Sequence, residues 1–276
     1  MAKFLSLEMK IVAAFIFLGI SLHISGQDTY TVIKVSGKVT RQENGKTLAS
    51  GDKLQINNAL SFSSPDDYLI VISPKTGSQL INGVPENKPH EFVQLLQTFV
   101  KPPKKTSTYR GVHPTYTEEL HSKLSSSTLV LGDGRIMVDT DKLSLKAPAC
   151  IMSQYRTRKI QYRKISDNES FYLNKKALVG SDDASIESTI TLYYCEDETE
   201  DPMFGNSTII ATILPVYVDE KLLLEEIKLI LSTLAENNQT DEVAKREIKN
   251  YLEQAYAKVI DENLDAWIGQ HQLLSQ

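Results

Sequence analysis

Cysteine is almost absent from this sequence: Cys150 and Cys195 are the only two in 276 residues. That excludes a disulfide-dense mini-scaffold and any multi-cysteine zinc or iron–sulfur module. Histidine is scarce as well, with five in all, and no His-Glu-x-x-His pair stands ready to hold zinc. His90, His113, His121 and His271 read as solvated side chains, and Pro114 argues against a helix that would put His113 and His121 on one face. Thirteen Gly and ten Pro are too few for a collagen-like or low-complexity fibre. The glycine motifs G-x-G-x-x-G and G-x-x-x-x-G-K-[ST] are missing, and so is a G-x-S-x-G elbow. Gly132-Asp133-Gly134 and Gly180-Ser181-Asp182 read as turns instead. These absences point to no metal site, no cofactor and no assignable catalytic residue.

Long apolar runs are lacking too. The longest, Ile11 to Ile24, has 14 residues, against roughly 20 for a membrane-spanning helix. Lys3 and Lys10 precede it, and Ser25-Gly26-Gln27 follow. A basic flank, a short greasy stretch and a small-residue end are the parts of a secretory signal peptide, so residues 1–27 are expected to be cleaved. Met9, directly before Lys10, would start a more compact signal. No Cys lies near the run, so a lipid-anchor site is missing. The implied compartment is the periplasm or the exterior, with no membrane span left after cleavage. In an oxidising compartment Cys150 and Cys195 could pair, closing a 44-residue loop worth roughly 4 kcal/mol by chain entropy. Two separate buried thiols are the alternative.

What remains is ordinary globular composition, 41% hydrophobic and 24% charged, with a net charge of −5 that rules out a generic polyanion binder. Residues 28–84 read as short strands. Ile33, Val35 and Val39 share one face, and Glu43-Asn44-Gly45-Lys46, Gly51-Asp52 and Ser64-Pro65-Asp66-Asp67 supply turns. Strands this short predict a small barrel or roll. The series Val35-Ser36-Gly37-Lys38-Val39, Leu48-Ala49-Ser50-Gly51-Asp52-Lys53-Leu54, Leu60-Ser61-Phe62 and Tyr68-Leu69-Ile70-Val71, with Gly77 beyond, resembles the FecR-type periplasmic domain. The resemblance covers about 50 residues and implies a sensing or protein-docking module without catalysis.

Residues 85–127 hold Pro85, Pro89, Pro102, Pro103 and Pro114, several Lys and a serine tract, which reads as a connector. Residues 128–218 return to strand pattern and predict a second, antiparallel β domain. There, Thr128–Val138 reads as a hairpin around Gly132-Asp133-Gly134, residues 150–165 as one strand, and Pro215 marks a strand edge or end. Residues 219–276 switch to helical period, with Asp219 and Thr240 as caps. Leu223, Ile227, Ile230 and Leu234 form one stripe, and Ile248, Leu252, Ala255 and Val259 a second. The expected element is a C-terminal αα-hairpin packed on the second domain, in an α+β, mostly β chain.

Charge distribution is the one unusual feature. Seven basic residues and no acid lie in 142–164, and eight acids and no base lie in 182–201. Arg156, Arg158, Lys159, Tyr162, Arg163 and Lys164 are the candidate binding residues, on a partly exposed ribbon suited to a protein partner. Opposite charges facing each other across neighbouring strands is the structural alternative. The resulting expectation is an exported, non-catalytic binding or signalling accessory of the bacterial envelope. A hydrolase of an envelope polymer, using acids from 182–201, is the other reading. Neither a nucleic-acid role nor an oligomeric state is indicated.

Overall fold

The computed structural model describes residues 29–83, 90–92, 115–124, 126–156, 160–182, 186, 188–197 and 206–274. The signal-peptide reading of 1–27 lies outside the described residues. Among the described residues strand outweighs helix, 35% to 28%, so the fold is mixed α/β with more strand than helix. It divides into two compact units, residues 1–77 with 81–100, and residues 78–80 with 101–276.

The first unit contains β1 (Thr29–Ser36), β2 (Val39–Arg41), β3 (Lys46–Thr47), β4 (Lys53–Gln55), β5 (Ala59–Phe62), β6 (Tyr68–Ser73), β7 (Gly77–Asn82) and β8 (His90–Glu91). They form two four-stranded ladders, β4-β1-β6-β7 and β3-β2-β5-β8. Of the predicted barrel or roll, the barrel is corrected: among the described residues no closed barrel forms. Gly37 is the physical reason. Its φ of 78° turns the chain sharply, so β1 ends pairing Ser36 with Tyr68 while β2 begins pairing Val39 with Phe62 in the other sheet. Tyr30, Val32, Val39, Leu54, Leu60, Leu69, Val71 and Phe92 fill a shared core, and Tyr30 meets Phe92 edge-on at 4.9 Å.

Asp67 secures that junction. Its carboxylate accepts the backbone N–H of Ser63 at 2.9 Å and of Ser64 at 2.8 Å, and it lies against Gly37 so closely that a Cβ there would collide with it.

The second unit runs α1 (Tyr116–Leu124), β9 (Ser126–Leu129), β10 (Arg135–Met137), β11 (Cys150–Arg156), β12 (Ile160–Lys164), β13 (Ser170–Tyr172), α2 (Lys175–Val179), β14 (Ile190–Cys195), β15 (Ser207–Val216), α3 (Glu220–Ala235), α4 (Asp241–Ala255) and α5 (Asp261–Gln270). Its main sheet has the order β12-β11-β14-β15-β9. Neighbours are antiparallel except β15 and β9, which run parallel, so the sheet is mixed rather than antiparallel throughout.

Four further expectations change. Residues 150–165 are two strands, β11 and β12, paired in register from Met152–Lys164 to Arg156–Ile160. Gly132-Asp133-Gly134 is a turn but not a hairpin, because β9 pairs with β15 while β10 pairs with β13. The connector contains α1, whose Leu120 and Leu124 enter the core; Glu118 closes the helix start by accepting the Thr115 N–H at 2.6 Å. Residues 171–180 are not all strand, since Asn174 caps α2 through the Ala177 N–H and Gly180 ends it at φ 85°. Pro215 keeps the strand-end reading and not the edge one: it falls one residue before the end of β15, which is an internal strand.

The C-terminal hairpin gains a third helix. Asp219 and Thr240 cap α3 and α4 as the sequence predicts, and Leu223, Ile227, Ile230 and Leu234 are buried together. The second stripe does not run on to Val259, however. Helix α4 stops at Ala255, and the Lys258 carbonyl accepts the Leu129 N–H at 2.8 Å, drawing 257–260 out as an extended strap beside β9. Helix α5 then starts at Asp261 and buries Leu264, Trp267 and Ile268. Its Trp267 Nε1–H donates to Glu220 at 2.9 Å, and the His271 Nε2 stands 3.0 Å from the same carboxylate. Those two contacts, Trp267 first, hold the Glu220 carboxyl below its ordinary pKa.

The turn at 166–169 carries a pH signature. Burial pushes the Asp167 carboxyl up. Bonds from the Glu169 N–H, the Tyr172 hydroxyl and the Ser170 N–H and hydroxyl outweigh this and hold its pKa at about 2. A carboxyl depressed on folding stabilises fully above its unfolded pKa, near 4, and loses that contribution as pH falls toward 2. Asp167→Asn should therefore lower the urea midpoint at pH 7, with the gap to the parent closing in that acid window; an equal gap at pH 7 and pH 2 would contradict the assignment.

Candidate functional site

The predicted binding residues cluster around β11 and β12, so their placement follows from strand parity. One face of the main sheet is the core face. Ile151, Leu192 and Ile213 point into it, and the Ser153 hydroxyl donates to the Leu178 carbonyl of α2 at 3.1 Å. Arg163 is the register partner of Ser153 and falls on this same side. Its guanidinium lies against Gly180 so tightly that a Cβ there would collide with it, which sets a positive charge at the carbonyl end of α2. Arg163 is thus an exposed residue of β12 whose guanidinium packs against the end of α2.

The opposite face carries Tyr162 and Lys164. Tyr162 packs on a small cluster of Cys150, Met152, Tyr193 and Cys195, all buried. Gln154 ties three strands together there. Its Nε2 donates to the Tyr162 hydroxyl at 3.0 Å, and its Oε1 accepts from the Tyr193 hydroxyl at 3.1 Å. Two isoleucines flank the cluster, Ile160 on β12 at 50% exposure and Ile209, opposite Tyr193 on β15, at 57%. Strand β12 is the sheet's edge, and four of its five residues are exposed.

Of the six predicted residues, the three on β12 do not all share one face. Tyr162 and Lys164 share a face, and Arg163 stands on the other. Arg156 is paired with Ile160 at the end of the hairpin where β11 leads into β12, while Arg158 and Lys159 lie outside the described residues. Sequence reasoning missed Ile160, Ile209 and Tyr193 because apolar strand residues look like core until the pairing is known. The parity of Tyr162 and Ile160 was the available signal, and it was masked by reading 150–165 as one strand.

Cys150 and Cys195, the predicted disulfide candidates, stand directly opposite each other in β11 and β14, both as buried thiols. Burial pushes the Cys195 thiol up to about 11, with the neighbouring Cys150 adding to it.

Elsewhere, two of the histidines read as solvated have protein partners, His121 while exposed and His271 half-buried. His121 Nδ1–H donates to the Ile210 carbonyl at 2.9 Å, and His271 meets Glu220. Of the acids in 182–201, Asp182, Glu196 and Asp197 are described and exposed. A cleft of about 550 Å³ between α4 and α5 is lined by Asp241, Glu242, Ile268 and Gly269, with Lys245 and Asp265 paired at 2.5 Å inside it. Among the described residues no group of three or more His, Cys, Asp or Glu is placed to hold a metal ion. No helix among them is long and apolar enough to cross a membrane.

No protein-family model, no curated protein and no solved structure matches this chain.

Proposed function

We propose that the chain is an exported, non-catalytic accessory of the bacterial envelope that docks another protein through the β12 side of its main sheet. Three features support the reading: the short apolar segment behind Lys10, the FecR-like series between Val35 and Val71, and the exposed sheet edge. The edge carries the most weight. Among the described residues β12 is the exposed edge strand of the sheet, and an extended partner segment can join such an edge as an added strand. Ile160 and Ile209 give that partner apolar contacts, Tyr162 an aromatic anchor, and Lys164 a charge that favours an acidic neighbour.

The test is a crosslinking capture from intact cells. Ile160→Glu combined with Ile209→Glu is expected to reduce the captured partner tenfold or more, the scale of losing one anchor, while circular dichroism stays unchanged. Reversal of Arg158 and Lys159 at the same hairpin tests the basic contribution. Unchanged capture by the double isoleucine variant would overturn the docking reading. So would release of product from peptidoglycan or glycan that vanishes on a single Asp-to-Asn or Glu-to-Gln change, because that is hydrolase behaviour.

A further inference from the structure

We propose that Cys150 and Cys195 are a thiol–disulfide site, two thiols that a disulfide oxidant converts into a cross-strand bridge joining β11 to β14. The geometry carries this. The two residues are register partners in adjacent antiparallel strands, and directly opposite residues place their Cα atoms about 4.5–5.5 Å apart, inside the range a disulfide spans. They share the face that holds Met152 and Tyr193, so both side chains project to the same side of the sheet. The bridge would form without moving either strand, and it would close a loop of 44 intervening residues that includes β12, β13 and α2.

The chemistry balances with a disulfide as oxidant, whether glutathione disulfide or a protein disulfide. One cysteine thiolate attacks a sulfur of the oxidant and expels one thiolate, leaving a mixed disulfide. The second cysteine thiolate attacks the bound protein sulfur and expels the other. Two protein S–H bonds are lost, one S–S bond forms, and the two protons leave on the two reduced oxidant thiols.

Burial sets the rate. Cys150 is fully buried and Cys195 is 1% exposed, so the oxidant reaches them only when the strand ends open. The raised Cys195 pKa keeps its thiolate scarce near neutrality. Oxidation should therefore be slow in the native state, faster in sub-denaturing urea, and faster as pH rises toward 9.

The full chain, reduced and then incubated with glutathione disulfide, reads this out. Expected are a mass lower by about 2 Da, a peptide linking Cys150 to Cys195 after digestion, and reversal by dithiothreitol. The oxidised protein should melt about 5 °C or more above the reduced one, as a closed loop of this length implies for a unit of this size. Cys150→Ala and Cys195→Ala should each abolish the oxidant-dependent shift while leaving the reduced fold's circular dichroism unchanged. Glutathione adducts on separate cysteines, persistence of two thiols after exposure in urea, or an oxidised form that melts no higher would each overturn the site. None of these outcomes bears on partner capture, so this inference and the docking reading fail separately.

Discussion

Gly37→Ala should destabilise the first unit by about 3 kcal/mol or more. Two costs add. A φ of 78° penalises an L side chain by about 1–2 kcal/mol. The new Cβ would also drive into the Asp67 carboxylate and push it off the Ser63 and Ser64 N–H groups, each a charge-assisted bond worth about 1.5–3 kcal/mol. Gly45 is the control. It has φ 65° but nothing within 4 Å of a built Cβ, so Gly45→Ala should cost only the backbone share, about 1 kcal/mol. Urea unfolding of both variants checks the difference. Equal losses would mean that Asp67 does not pack over Gly37. In the double variant Gly37→Ala, Asp67→Ala the costs should sum to less than the two singles, because the collision and the lost bonds are the same event.

That junction shows what the sequence could and could not reveal. The strand segments around Gly37 are legible because apolar residues alternate and Gly-rich turns punctuate them. Their assignment to two sheets is not, because ladder membership depends on one left-handed residue and on a carboxylate 30 positions away. The same division recurs in the second unit. Helices α3 and α4 follow from their stripes and caps, and β14 and β15 from their apolar runs. Helix α2 was hidden because Lys175-Lys176-Ala177-Leu178-Val179 is too short to show a helical period, though Asn174 and Gly180 mark both its ends. The split of the candidate site was hidden for a related reason. Residues 157–159 contain no Gly, Pro, Asn or Asp and so give no turn signal, and the parity of everything after them was assigned without knowing that β12 runs back along β11. Arg163 then reads as part of a ribbon when its partner is the end of a helix that sequence did not show.

The strap before α5 is the clearest case of tertiary contact overriding local pattern, and it leads to the second large effect. Val259 continues a helical stripe by spacing, yet Ala257 to Ile260 are extended because the Lys258 carbonyl is taken by Leu129. What fixes α5 beside them is Asn263, 2% exposed, whose side chain grips Leu131 at both ends. Its Oδ1 accepts the Leu131 N–H at 2.9 Å, and its Nδ2 donates to the Leu131 carbonyl at 2.9 Å. Leu131 follows β9 and precedes the Gly132 turn, so the amide completes a backbone ladder that no strand supplies. Asn263→Ala leaves the buried Leu131 N–H without a partner, while the Leu131 carbonyl keeps the bond from the Gly134 N–H at 3.0 Å; an orphaned buried donor costs about 1–3 kcal/mol, and the expected loss is about 2 kcal/mol. Asn263→Asp discriminates further. The carboxylate keeps the acceptor but sets negative charge against the Leu131 carbonyl, so the loss should be at least as large at pH 7. Protonation restores an O–H donor there, so the gap to the parent should narrow as pH falls toward about 4, the unfolded carboxyl's pKa, and stay level below it. A Leu131 bond of this kind is absent if Asn263→Ala unfolds within about 0.5 kcal/mol of the parent, the range of an ordinary surface change.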